Sequence, residues 1–267
     1  MINKKHIVLC ADDYGLNEAV TQGILTLVAQ NRLSAVSVMT TFASLKQDAF
    51  RLLAIHPKAA IGLHLNLTDG DWLTRPHHKA PKLWQLILKT HLKKLDMPAL
   101  IKEIQAQIER FEQAFGKRPD FIDGHQHVHQ LPQIRDALLS VYHEHYPEKT
   151  AFIRATYPIK TSSAYRKKAA LLTRLGGARL TKMLKAQHIP HHDYFSGVYD
   201  FSPHLDYGAY FKKMLHQCGD NTLIMCHPGL QSNDKHDAIY QSRYNEWQYF
   251  QSAGFLQDLE EAHVTLK

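Results

Sequence analysis

The chain has 267 residues, of which 44% are hydrophobic and 21% charged, and its formal net charge is +7 at pH 7. This composition is ordinary for a globular protein with a sizeable core. No apolar run approaches the roughly 20 residues of a membrane-spanning helix. The first apolar run is short and acidic residues interrupt it, so it predicts a strand and not a signal peptide. The positive charge permits several kinds of anionic partner and selects none of them.

The three cysteines, Cys10, Cys218 and Cys226, are odd in number and lack the spacing of a metal finger. Two of them lie in strand-like runs, which favours buried thiols over disulfides and fits a cytoplasmic location. No repeat, low-complexity tract or Pro/Gly/Ser-rich linker divides the chain. We therefore predict one domain over residues 1–267.

Short apolar runs rich in β-forming residues alternate with segments of helical periodicity along the chain. The predicted strands cover residues 6–11, 35–39, 59–63, 121–123, 152–154 and 222–226. The predicted helices cover residues 18–28, 44–55, 82–95, 99–115, 132–142, 164–186, 206–217 and 242–253, with a break at Gly176-Gly177. Residues 69–82 and the aromatic residues 194–201 are predicted to form loops.

Strict alternation of strands and helices favours a parallel sheet covered by helices, and continuously apolar strands are typical of a sheet buried on both faces. We predict an α/β fold of the (β/α) barrel type, distorted or incompletely closed. A doubly wound open sheet is the second choice, because the first turn lacks the glycine-rich phosphate fingerprint of that fold.

Polar side chains follow the carboxyl ends of several predicted strands. Asp12 and Asp13 follow the first, His64 the third, and His227 the last. The most conspicuous stretch is residues 121–129, where three histidines follow an apolar run within five residues, beginning at His125. In a (β/α) barrel the carboxyl ends of the strands carry the active site. These residues are therefore predicted to lie close together.

Two imidazoles and one carboxylate form a metal-binding set that leaves positions for water and substrate, as catalytic sites do. Asp13, His64 and His125 supply such a set. A divalent cation there would acidify bound water and polarise a carbonyl oxygen. Asp12 would remain free to accept the proton of that water, and His227 could protonate the leaving group. The pattern indicates metal-assisted hydrolysis of an amide or an ester.

Each of these residues also has a purely structural interpretation. Asp12 could cap a helix, His64 could pack in the core, and His227 could simply end a strand. His127 and His129 cannot both be ligands alongside His125, because successive side chains point in different directions, so at least one of them is predicted to line the pocket or to support the ligands from behind.

Four segments occur in the order and spacing of the YdjC-like (ChbG-type) carbohydrate deacetylases, and the resemblance extends from residue 7 to about residue 234. The segments are ADDYGLN at 11–17, IGLHL at 61–65, DGHQHVH at 123–129 and MCHPG at 225–229. The resemblance implies a β/α barrel of the glycoside hydrolase/deacetylase type. It also implies a divalent metal cofactor, Mg²⁺ or Zn²⁺, and removal of N-acetyl groups from sugars such as chitooligosaccharides.

By this resemblance Asp13, His64 and His125 bind the metal, Asp12 corresponds to the base and His227 to the acid. Further residues are expected to contact the substrate or to support these five from behind: Asp123, which would orient an imidazole, His127, His129 and Arg154. Arg154 would steady the base or the substrate. Asp234 falls in a stretch that is similar to a family loop and has no clear role.

Residues 160–190 depart from the chitooligosaccharide-type members by being longer and more basic. One interpretation is a solvated helical face. The other is a lid or a peripheral membrane contact, since basic amphipathic helices can lie on anionic membranes. The substrate is accordingly expected to be an N-acetylated carbohydrate, either chitooligosaccharide-like or lipid-linked. A homodimer is left open.

Three other functions compete with deacetylation. A phosphoesterase or amidohydrolase on the same barrel commonly needs a second metal, and the sequence offers no clear second ligand set. A sugar-binding protein with a vestigial metal site would have no need of Asp12 or His227, and both are present. Nucleic-acid binding is not expected, because basic and aromatic residues are segregated in the sequence instead of interleaved.

Overall fold

The computed structural model describes residues 4–55 and 57–267, apart from the side chain of Ser163. The predicted domain of residues 1–267 therefore includes four residues, 1–3 and 56, that lie outside the described ones. The strands are β1 (Lys5–Tyr14), β2 (Ala35–Val38), β3 (Ala60–Leu65), β4 (Asp71–Trp72), β5 (Arg75–Lys79), β6 (Phe121–Gly124), β7 (Phe152–Ile153), β8 (Tyr194–Ser196), β9 (Thr222–Cys226) and β10 (Val264–Leu266).

Helices follow most of these strands. They are α1 (Glu18–Ala29), α2 (Leu45–Ala54), α3 (Leu83–His91), α4 (Met97–Phe115), α5 (Ile134–His145), α6 (Arg166–Leu172), α7 (Ala178–Ala186), α8 (Tyr207–Gln217), α9 (Tyr240–Gln251) and α10 (Ala253–Glu261). A 3₁₀ turn, His125–Gln130, joins β6 to α5. Among the described residues, no helix is long and apolar enough to span a bilayer.

One parallel sheet organises the fold, with strands in the order β7-β6-β3-β2-β1-β9-β8 and with β10 added beside β1. The sheet curls into an open half-barrel. Two contacts lie between its edges: Ile153, at the end of β7, donates to the carbonyl of Pro190, and Ile159, in the chain after β7, forms a single bridge with Phe195 of β8. The predicted barrel, incompletely closed, is confirmed.

The core lies between the sheet and the helices, and the strands are as apolar and buried as their sequences predicted. Every residue of β2, β6 and β9 is buried. Helix α4 buries the predicted face that begins at Leu100 and ends at Phe115. Gly116 ends this helix in the left-handed region, with φ 67°, where a glycine avoids the steric cost of a Cβ. The three cysteines are buried free thiols, as predicted.

Four predictions of local structure were wrong. The predicted loop 69–82 contains the β4–β5 hairpin, and the predicted loop 194–201 contains β8. Strands β4 and β8 have two and three residues, too few to show a period, and β5 is exposed at all five positions and so has no apolar face to recognise. The segment after the last predicted helix, for which no helix was predicted, forms α10, and Ser252 separates it from α9 by accepting from the amide of Phe255. Helix α5 begins at Ile134, two residues after Pro132.

The basic segment 160–190 packs its apolar side against the barrel and leaves most of its basic side chains exposed. Helices α6 and α7 are separated by a π-helical turn, Thr173–Gly177, as the Gly-Gly pair predicted. Gly176 has φ 137°, and a Cβ there would overlap the carbonyl oxygen of Gln130 in the 3₁₀ turn. The absence of a side chain therefore lets this segment approach the strand-end loop that carries the histidines.

Candidate active site

The carboxyl ends of neighbouring strands bring the predicted residues together. Asp12 and Asp13 lie near the end of β1, His64 is the penultimate residue of β3, and His125 and His227 directly follow β6 and β9. The pairing of β1 with β2 shifts register just before Tyr14, and Asp13 has φ 69°, a strained conformation for a side chain other than glycine. This irregularity lets two adjacent carboxylates serve different partners.

Asp13, His64 and His125 converge on one point. One oxygen of Asp13 lies 2.8 Å from Nδ1 of His125 and 3.2 Å from Nε2 of His64. The three ligand atoms lie within 4.8 Å of one another. Donors bound at about 2.0–2.2 Å to a common ion lie roughly 3 to 3.5 Å apart. The two contacts are close to that spacing, so this donor set fits a divalent cation.

His64 is held for such a role by its other ring nitrogen. Its Nδ1 lies 2.7 Å from Asp123 and 2.9 Å from the hydroxyl of Ser37. Metal-binding histidines usually have this kind of acceptor behind them. Burial alone would lower the pKa of His64, but Asp123 and Asp12 outweigh it and raise the pKa to about 10. The pocket therefore favours a positive charge at the position of this imidazole.

The second oxygen of Asp13 is bound by an arginine that the sequence analysis did not identify. Nη2 of Arg243 lies 2.7 Å from this oxygen, and Nε of Arg243 lies 2.7 Å from Asp237. Burial would raise the pKa of Asp13, but His125 and Arg243 outweigh it and hold the pKa well below its ordinary value. The Asp13 carboxylate is therefore ionised and has a fixed orientation.

Asp12 is held separately by Arg154, whose guanidinium donates to both of its oxygens at 2.6 and 2.7 Å. Arg154 is fully buried and also pairs with Asp123. Burial would raise the pKa of Asp12, but the guanidinium outweighs it and keeps the pKa well below the ordinary range. Asp12, Asp123 and Cys10 form a second convergent group of acidic and thiol ligands. The guanidinium of Arg154 lies among these three residues, so a positively charged group already occupies this position.

His227 lies beside Asp12, with 3.8 Å between Nε2 and the nearer carboxylate oxygen. Its ring meets the edge of Phe201, and burial lowers its pKa to about 4, so the imidazole is neutral at pH 7. The turn that carries it is held from behind, because its backbone amide donates to buried Glu246 at 2.5 Å. Tyr199 donates to the other oxygen of Glu246.

The remaining two histidines of the cluster have different positions. His127 lines the pocket against the edge of Phe195, and its Nδ1 has no hydrogen-bond partner among the described residues. His129 is fully buried, with its Nε2 3.1 Å from the backbone carbonyl of Arg154. His127 is thus a wall residue and His129 a support behind Arg154.

These groups surround a cavity of about 570 Å³, within the usual range for small-molecule sites. Apolar walls come from Phe42, Leu83 and Leu172. Lys168 of α6 also lines the cavity, with its ammonium 4.7 Å from the centre of the Phe201 ring. Asp234, to which the sequence assigned no role, also lies on the cavity wall.

Glu246 makes the stability of the fold depend on pH. Burial raises its pKa from 4.5 to about 7. Between pH 4.5 and about 7 the folded state keeps a proton on Glu246 that the unfolded state has released. The contribution of Glu246 to stability is therefore full below pH 4.5 and is lost as the pH rises through about 7. We expect the free energy of unfolding, relative to that of Glu246→Gln, to fall by about 3 kcal/mol across this window. Urea unfolding of both proteins over this range measures the effect, and parallel pH curves would contradict it.

A YdjC-like protein family model matches residues 6–261, so the chain belongs to the YdjC-like family. The chitooligosaccharide deacetylases of Yersinia pestis (strain Pestoides F) and Yersinia pseudotuberculosis (serotype O:1b, strain IP 31758) are each 33% identical to it over 138 residues. That match covers 49% of this chain and 53% of each relative, about half the length of either.

The crystal structure of a proposed cellobiose-phosphate cleavage protein from Enterococcus faecalis V583 has the same fold. The TM-score is 0.69, and the match covers 99% of this chain and 97% of that protein at 21% sequence identity. At this identity the likeness concerns the fold alone.

Proposed function

We propose that this protein is a metal-dependent hydrolase that removes the acetyl group from an N-acetylated sugar and releases acetate. The observation that carries the proposal is the convergence of Asp13, His64 and His125 in a cavity where a second, separately held carboxylate, Asp12, is adjacent. Membership of the YdjC-like family and the names of the two Yersinia relatives support the choice of substrate.

Asp13, His64 and His125 would hold the divalent ion, which would acidify a water molecule and polarise the amide carbonyl. Asp12 would accept the proton of the attacking water at a carboxylate oxygen. Arg154 contributes by fixing the orientation of that carboxylate and keeping it ionised, so that it is ready to act as a general base.

His227 would give a proton to the sugar nitrogen as the carbon–nitrogen bond breaks. Because its pKa is lowered to about 4, this imidazole carries no spare proton at pH 7 and must gain one during the reaction. The separation of 3.8 Å between Nε2 of His227 and Asp12 provides the source, namely the proton that Asp12 takes from water. Attack by the water molecule and departure of the sugar amine would then be linked by the transfer of one proton from Asp12 to His227.

Several finer assignments remain predictions. The donor set suits Zn²⁺ and is also compatible with Mg²⁺ and other divalent ions. The sugar can be chitooligosaccharide-like or lipid-linked. A cytoplasmic location, a homodimer and a membrane contact through residues 160–190 likewise stay predictions.

The proposed function is tested by assaying acetate release from free N-acetylated sugars, their oligomers and lipid-linked acetamido sugars, with and without a chelator. Release from at least one class, lost with the chelator and restored by a divalent ion, is the expected result. Phosphate release from sugar phosphates in the same assay would favour the phosphoesterase alternative. Sugar binding without any release would favour a non-catalytic protein.

Metal binding has its own test. We expect His125→Ala to lower the bound metal in elemental analysis, because it removes one of three protein ligands and leaves Asp13 and His64 to hold the ion. The matched control is His216→Ala, an exposed histidine on α8 that is expected to retain full metal. Full occupancy in His125→Ala would exclude this residue as a ligand.

A further inference from the structure

The excess of positive over negative charge in this protein comes from two parts of its sequence. Residues 72–95 and 149–192 contain six and ten of the 32 lysines and arginines and none of the 25 aspartates and glutamates. The rest of the chain therefore carries 16 basic and 25 acidic residues. A net charge of +7 thus conceals a segregated distribution, strongly basic in two stretches and acidic elsewhere.

The fold brings part of each stretch to the same end of the barrel. The 3₁₀ turn after β6 and the residues that follow it are bonded to both. Gln130 donates to the carbonyl of Leu172 in α6, while Gln133 exchanges hydrogen bonds with the backbone of Leu95 just after α3. Leu172 also lines the active-site cavity, as does Leu83 at the start of α3. Both basic stretches therefore border the cavity.

Helix α3 exposes an apolar stripe at this border. Its inner face buries Leu86 and Thr90, whereas Trp84, Leu88 and Leu92, four residues apart, are 63%, 53% and 53% exposed. Four exposed lysines accompany the stripe: Lys82, Lys89, Lys93 and Lys94. On α6, Leu171 is 56% exposed and follows a further run of basic residues, Arg166–Lys168.

We propose that α3, together with α6 at the same end of the barrel, docks the protein on an anionic lipid bilayer, so that the cavity lies next to the membrane surface. An apolar stripe with an aromatic residue, flanked by lysines, matches an interface in which anionic headgroups lie above acyl chains. A second copy of the chain is a poorer occupant, because two faces of the same positive charge would repel each other. This proposal concerns where the protein binds and does not depend on which reaction it catalyses.

Vesicle flotation of the full chain tests the proposal. We expect co-flotation with phosphatidylcholine vesicles that contain about 30 mol% phosphatidylglycerol, and little with pure phosphatidylcholine. Raising the salt from about 0.1 M to about 0.5 M should weaken binding, since surface charges become screened. Each lysine of the stripe that is replaced by glutamine should lower the partition coefficient roughly fivefold. Equal binding to both vesicles, or none to either, would overturn the proposal.

The double variant Trp84→Ser/Leu88→Ser should lose binding to the anionic vesicles and keep its melting temperature, because both side chains are mostly exposed. Leu256→Ser is the matched control. Leu256 is 50% exposed on α10 and lies near Lys4, at the opposite end of the strands from the cavity. Equal losses in both variants would contradict the assignment of the surface. So would a dimer that dissociates in the double variant, since it would make a second copy the occupant.

Failure of this proposal is separable from failure of the proposed function. Acetate release from a water-soluble substrate should be unchanged in the double variant, because its two residues do not line the cavity.

Discussion

Replacing Asp12 by asparagine is expected to lower kcat by a factor of about 10² to 10⁴, the usual contribution of a positioned general base. The variant should nevertheless keep its full complement of metal, since Asp12 does not belong to the group formed by Asp13, His64 and His125. An asparagine also preserves the shape of the side chain and one oxygen for Arg154. The loss should therefore fall on catalysis, with the ligand set left intact.

Kinetics, elemental analysis and thermal unfolding of the same preparation separate these effects. Asp136→Asn, on the exposed side of α5, serves as the matched control and should match the parent protein in all three measurements. Unchanged acetate release in Asp12→Asn would remove Asp12 from the role of base. A parallel loss of metal would show that this carboxylate supports the ion and not the proton transfer.

The sequence predicted the fold where packing leaves a simple pattern. Strands β2 and β9 are buried along their whole length, so each appears as a short, mostly apolar run. Helix α4 has one buried face and therefore shows a helical period. Strand β8 has three residues and pairs on one side with β9, which is too little to leave a period. Whether such a short segment forms a strand depends on its pairing partner, and that partner is distant in sequence.

The residues of the candidate site were likewise predictable only in part. Parallel strands end at one edge of a sheet, so the sequence alone predicts that acids and imidazoles at their carboxyl ends converge. Arg243 and Glu246 could not, because they reach the site from α9, more than 200 residues after Asp13. A weak signal was present in α9, where a helix rich in aromatic residues places an arginine and a glutamate three positions apart, on one face.

Arg154 should have the largest effect on stability of any residue in the site. It is fully buried between Asp12 and Asp123. Arg154→Met would remove the guanidinium that pairs with both of these buried carboxylates, and breaking a buried ion pair in this way costs about 3–5 kcal/mol. We expect a loss of this size in urea unfolding, together with a loss of acetate release, because Asp12 would no longer be held in place.

Arg154→Lys separates the charge from its geometry. Lysine keeps the positive charge but lacks the planar fork that donates to both oxygens of Asp12, so stability should be recovered in part while kcat stays about 10- to 100-fold below the parent. Arg135→Met is the matched control. Among the described residues this largely buried arginine forms an ion pair only with the half-exposed Asp136, so its loss should cost less than about 1 kcal/mol. If Arg154→Met unfolds at the urea concentration of the parent, the carboxylates do not depend on Arg154, and the account of how Asp12 is held in its ionised form fails.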